Sequence, residues 1–230
     1  MVTKKIYRRL NKVKNNWDAE NNFYQFVDKS RLIKFLNHFK LLEKTRSISG
    51  DILECGVLKG NSIIRFAIFR DYLNLKKKKV IGFDNFGSFP KSYLKKDDSK
   101  IFIQEKKFAE IHDKNTGFGH SIQKMKTILK NKKIRNFKLI KGDVFKTLDN
   151  FIKTNKKLKI SFLHLDLDVY APTIYILRKL YKYISKNGVI LIDDFKTHPG
   201  ATKAAKIFFK EKFKKIQLIK NLRPSYYIVK

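Results

Sequence analysis

The chain has 230 residues, a formal net charge of +33, a hydrophobic fraction of 43% and a single cysteine, Cys55. That length, with apolar residues spread throughout, excludes a disordered tail and fits one α/β domain with a sizeable core. One cysteine excludes an intrachain disulfide and points to a reducing, cytoplasmic setting, and no apolar run reaches the about 18 residues of a spanning helix. The positive charge is nearly all lysine, in short runs such as 76–79, 132–133 and 156–157 that fall at predicted turns and element ends. Scattered in this way it reads as solvated surface, so no specific nucleic-acid partner is expected.

Residues 2–17 place Ile6, Leu10, Val13 and Trp17 on one helical face among lysines and arginines. Such a segment packs on its own domain or a twin subunit in a homo-oligomer, with peripheral contact to an anionic membrane as the other use of that face. A second helix is predicted over 29–45, with an apolar stripe of Leu32, Ile33, Leu36, Phe39 and Leu42. Together these make an N-terminal helical extension, residues 1–48, ahead of an α/β domain spanning 49–230.

That domain opens with a strand over Asp51–Val57, a glycine-containing turn over 58–62 and a helix over Ile63–Leu73. Glycines are required where backbone approaches a ligand, and helix-start amides with Ser62 suit a carboxylate. Lys79–Asp84 is a second strand whose terminal acid is placed to take a ribose diol. The three-glycine dinucleotide fingerprint is absent, which disfavours a nicotinamide enzyme. Residues 85–120 carry Phe86, Phe89, Tyr93, Phe102, Phe108 and Phe118 with His112 and His120, and an insertion of that length reads as a lid over the acceptor, with a short helix near 102–111. A helix over 121–130 leads to a third strand at 137–140, which ends at Gly142-Asp143, and a helix over 144–154 follows.

The most informative stretch is 158–195. Two apolar runs end in carboxylates, Lys159 to Asp168 and Gly188 to Asp194, with helical spacing over Thr173–Ser185 between them and Asn187-Gly188 as the stop. A strand–helix–strand crossover makes the two strands parallel, so both acid clusters sit at one sheet edge, where open α/β sheets bind ligands. Carboxylates converging there call for a divalent cation with a preference for hard oxygen, Mg²⁺ or Mn²⁺. A helix from Pro199-Gly200 and an antiparallel hairpin over 216–219 and 226–229 close the sheet. The expected fold is therefore α/β: Rossmann-like, doubly wound, mostly parallel, with a C-terminal antiparallel hairpin.

In this order the motifs resemble class I S-adenosylmethionine-dependent methyltransferases and, more narrowly, the macrocin O-methyltransferase family, whose members methylate sugar hydroxyls of antibiotics. The matching pieces are Gly50–Val57, Asp84 with Phe86-Gly87-Ser88-Phe89-Pro90, Gly142-Asp143, Leu165–Tyr170, and Ile192–Phe195 followed by Pro199-Gly200-Ala201. The resemblance implies that Glu54, Gly56, Gly60 and Ser62 hold the methionine end of the cofactor, Asp84 the ribose and Asp143 the adenine. It implies that Asp166, Asp193 and Asp194 bind Mg²⁺, and that Asp166 or Asp168 serves as base beside the acceptor hydroxyl. Val169 stands where related catechol-type enzymes carry a lysine, which favours a carboxylate base. His198, just beyond the acid pair, is a candidate auxiliary base, and His164 faces the same side as Asp166 but deeper. The 85–120 segment matches only at its beginning, so the acceptor is carried over only as a small molecule or glycan bearing a sugar hydroxyl. Two other readings are an RNA methyltransferase, which would bind RNA with a steep salt dependence, and a non-catalytic module on the same fold, which would show no heat with S-adenosylmethionine.

Overall fold

The computed structural model describes residues 13–94, 99–210 and 215–230. Most of the basic segment 2–17 lies outside the described residues. Of its apolar face, Val13 and Trp17 are described, and both are exposed.

In chain order the elements are helices α1 (Asn16–Phe26) and α2 (Lys29–Glu43), strand β1 (Asp51–Cys55), α3 (Asn61–Tyr72), β2 (Val80–Asp84), α4 (Lys100–Thr116) and α5 (Ile122–Asn131). Then come β3 (Phe137–Lys141), α6 (Val144–Thr154), β4 (Ile160–Leu165), α7 (Tyr170–Leu180), β5 (Ile184–Ile192), α8 (Pro199–Phe209), β6 (Gln217–Ile219) and β7 (Ser225–Val229). The seven strands form one sheet in the order β3-β2-β1-β4-β5-β7-β6. All pairings from β3 to β5 are parallel, whereas β7 runs antiparallel to both β5 and β6. The chain reverses its direction of travel between β1 and β4, which opens a crevice at their carboxyl ends.

Strand alternation divides the core into two layers. Leu53, Cys55, Leu163 and Leu165 face α6, α7 and α8, while Ile52 and Phe162 face α2, α3 and α5. Glu54 and His164 continue the second set, so their polar side chains enter the layer beneath α2 and α3. Local chemistry sets the helix starts. Asp28, Ser121 and Asp143 accept the amides of Ser30, Lys124 and Phe145 at the first turns of α2, α5 and α6. On the α3 side, Arg70 is buried and donates to the carbonyls of Lys78, Arg135 and Asn136, tying α3 to the starts of β2 and β3.

Three expectations need correction. The helix predicted over 173–185 spans Tyr170–Leu180, followed by a 3₁₀ turn, and β5 begins at Ile184. Ile184 pairs with Ile160 and Val189 with Phe162, so Asn187 (φ 64°) and Gly188 form a bulge inside the strand and do not stop a helix. The short helix expected near 102–111 extends over the 17 residues of α4. On α2, the apolar stripe marks the inward face only in part: Leu42 is buried and Phe39 packs on the core, but Asn37 and His38 point inward as well. Leu36 is 55% exposed, whereas Asn37, His38, Leu41 and Leu42 are buried. Asn37 donates to the Arg223 carbonyl and to the Ser225 hydroxyl, binding the helix to the turn before β7. Among the described residues no helix is long and apolar enough to cross a membrane.

Candidate active site

A cavity of about 810 Å³ lies over the carboxyl ends of β1, β2 and β4. Gly56, Leu58 and Ser62 line it from the β1–α3 turn, and Asp84 and Gly87 from the end of β2. Phe89, Tyr93 and His112 enter from the 85–120 segment, and Asp166 and Asp168 from the loop after β4. The turn has this shape because its glycines permit it. Gly56 has φ +94°, and a Cβ there would lie 1.7 Å from the Asp166 carbonyl oxygen. Gly60 has φ +84° and starts α3. Asp84 anchors the turn, since its Oδ2 accepts the amides of Val57 (2.7 Å) and Leu58 (3.0 Å) and its Oδ1 that of Phe86 (2.5 Å).

Other predicted cofactor residues sit behind this surface. Gly60 and Asp143 do not line the cavity; Asp143 caps α6 at the end of β3. Glu54 is fully buried beneath the turn, with its Oε1 2.9 Å from His164 Nδ1.

The acids after β4 and β5 converge as parallel strands require. Ligand oxygens of Asp166, Asp193 and Asp194 lie within 4.8 Å of one another. Asp194 Oδ2 accepts the Asp168 amide at 2.9 Å, which holds Asp168 in a left-handed conformation (φ 64°). His198 Nε2 stands 3.4 Å from Asp168 Oδ1, and its ring meets Phe108 of α4.

The charge within this cluster is unequal. Burial and the neighbouring carboxylates push Asp166 up to about 6, Asp168 up to about 7 and Asp194 well above the usual carboxylate range. Asp193 goes the other way: burial opposes its charge, but the His164 and His38 rings that face it and the Lys34 ammonium hold it well below that range. Lys34 contacts Asp193 directly. Arg65 Nη1 lies 3.2 Å from His38 Nδ1, and since arginine only donates, His38 carries its proton on Nε2, which faces Asp193 Oδ1 at 3.6 Å. His164 Nε2 faces the same oxygen at 3.6 Å. Burial would discharge His164, but its contacts with Asp193 and Glu54 raise it to about 9. Glu54, His164 and Asp193 thus form a buried chain from β1 through β4 to the end of β5.

Sequence reasoning missed Lys34, His38 and Arg65. The only signal was a lysine and a histidine one helical turn apart on α2, set between apolar residues.

The family model for macrocin O-methyltransferase (TylF) matches residues 3–221. A search of curated proteins returns no significant match. Among solved structures the chain is similar to CalS11, a calicheamicin methyltransferase, with 21% identity, a TM-score of 0.71, and coverage of 99% of this chain and 90% of that one. The apo structure of CalS11, described as a TDP-rhamnose 3′-O-methyltransferase, gives 22% identity and a TM-score of 0.70, over 99% and 92% of the two chains. The O-methyltransferase NovP gives 20% identity and a TM-score of 0.71, over 90% and 81%. At these identities the structural matches carry the fold, and the family match carries the chemistry. The match takes in the acid-bearing strands and helix α2 alike, and the chain belongs to the macrocin O-methyltransferase family of S-adenosylmethionine-dependent O-methyltransferases.

Proposed function

We propose that the protein transfers the methyl group of S-adenosylmethionine to a sugar hydroxyl, with Mg²⁺ or Mn²⁺ held by Asp166, Asp193 and Asp194. The observation that carries this reading is the convergence of those three carboxylates beside a glycine-turn cavity. The donor set fits a hard divalent ion: it is all oxygen, and the crowding that drives Asp166 and Asp194 toward protonation is what a cation relieves. When bound, the cofactor supplies an activated methyl group, and the cation lowers the pKa of the acceptor hydroxyl and fixes its direction.

The protein's own residues do the rest. Gly56, Gly60 and Ser62 shape the turn for the methionine end, with Glu54 bracing it from below. Asp84, at the end of β2 on the cavity wall, holds the ribose. Asp168 or Asp166 takes the hydroxyl proton: both line the cavity from the loop after β4, and Asp168 lies outside the three-acid set. His198 then stands ready to pass that proton outward from Asp168.

The sugar acceptor follows the similarity to CalS11, a TDP-rhamnose 3′-O-methyltransferase. Arg31, Lys59 and Arg65 on the cavity wall favour a sugar carried on an anionic group. The test is a methyl-transfer panel comparing TDP-rhamnose, free rhamnose and a rhamnose-containing polysaccharide. Transfer should be fastest to the nucleotide-linked sugar. Absence of transfer to every sugar by protein that binds S-adenosylmethionine would overturn the acceptor class.

Asp84→Ala should weaken S-adenosylmethionine binding roughly 10- to 100-fold by calorimetry, from the loss of charge-assisted hydrogen bonds worth about 1.5–3 kcal/mol. It also frees three turn amides. Unchanged affinity in a folded variant would remove Asp84 from the cofactor site.

A further inference from the structure

Helices α7 and α8 follow directly from the two acid-bearing loops, and neither is capped by its own N-cap side chain. For α7 the acceptor comes from the 85–120 segment. Glu105 of α4 is 5% exposed, and its Oε1 accepts the amide of Tyr170, the first residue of α7, at 2.6 Å. The same oxygen fills a notch at the second residue of α8, where a Cβ on Gly200 would lie 1.6 Å from it. A carboxyl at a helix start satisfies an amide that has no partner within the helix, and here one carboxyl serves α7 while packing on α8. On the outer side, Lys203 lies over the Phe102 and Tyr170 rings at 5.0 and 5.6 Å and covers the contact. Three residues along α4, Phe108 packs on His198.

We propose that Glu105 is a positioning residue that latches the lid helix onto the starts of α7 and α8, so that docking of α4 and alignment of the Asp168 and His198 loops are one event. This rests on the reading of Asp168 and His198 as site residues. Glu105 touches neither cofactor nor acceptor in this role. It fixes the residue two positions after Asp168 and, through Gly200, the residue two positions after His198. Burial pushes its carboxyl up to about 7, so a glutamine, neutral and with an amide oxygen in the same place, is a close substitute.

Hydrogen exchange on the intact protein without ligands tests the latch. Glu105→Ala should raise exchange about ten-fold or more in α4 and, together with it, in amides 168–170 and 198–202, while β1, β4 and β5 keep wild-type rates. Glu105→Gln should restore most of that protection. Loss of protection in α4 alone would overturn the proposal, because the loops would then be held without it. Faster exchange throughout the sheet, or a glutamine variant as exposed as alanine, would overturn it too. No methyl transfer enters this measurement, so failure of the acceptor panel leaves the exchange result as decisive as before.

Discussion

Removal of divalent cations with a chelator is expected to stop methyl transfer while leaving S-adenosylmethionine affinity within a few-fold. The acids that would hold the ion end β4 and β5, whereas the cofactor turn and Asp84 belong to β1 and β2. Asp193→Asn should act on the same step by another route. Asp193 is the carboxyl held ionised by Lys34, His38 and His164, so the amide removes one ligand and takes from the Lys34 ammonium its direct carboxylate partner, while His164 keeps only Glu54. Breaking a buried pair on one side costs about 3–5 kcal/mol, so this variant should also melt earlier, which a thermal scan will show. The chelator arm carries no such penalty and isolates the metal. Asp168→Asn should lower turnover by roughly 10²- to 10⁴-fold with Mn²⁺ affinity preserved, the signature of a lost base. Asp166→Asn should lose both turnover and affinity. Full activity in chelator would eliminate the cation and leave the carboxyls as proton acceptors only.

Gly56→Ala should have the largest effect of any glycine-to-alanine change in this chain. Its Cβ would meet the Asp166 carbonyl oxygen at 1.7 Å and the carbonyl carbon at 2.7 Å, both backbone atoms that no rotamer change can move. The left-handed φ of +94° adds strain of its own, and β1 and β4 are locked in register on either side. A stability loss on the order of 3 kcal/mol or more is expected, with S-adenosylmethionine binding reduced about 100-fold because Asp166 and the turn are displaced together. Gly60→Ala provides the contrast. Its Cβ would meet the Met125 side chain, which can swing away, so that variant should keep more of both properties. A Gly56→Ala melting point within about 2 °C of wild type would contradict the close approach of these two strands.

The exchange of apolar runs with helical spacing from β1 to β5 was legible in the sequence, and so was the placing of Asp166 and Asp193 at one sheet edge. Both follow from rules that act over a few residues, alternation along a strand and the right-handed crossover between parallel strands. The turn at Gly56 was legible for the same reason, since φ > 0 needs glycine. Charge placement within the site was not local. Residues 34 and 38 lie beside the apolar stripe of their helix, and only packing of that helix over the sheet brought them to Asp193. Asn187-Gly188 looked like a helix stop because its left-handed backbone serves a bulge equally well, and pairing of Ile184 with Ile160 made the choice. Glu105 had no signature at all, because its partners, Tyr170 and Gly200, are far along the chain. The sequence by itself determined the sheet, its turn and the edge where the acids gather. Only the tertiary structure decided which acid stays charged, which helix brings Lys34 to it and how α4 meets the starts of α7 and α8, because each depends on desolvation and contact between segments that the chain does not place side by side.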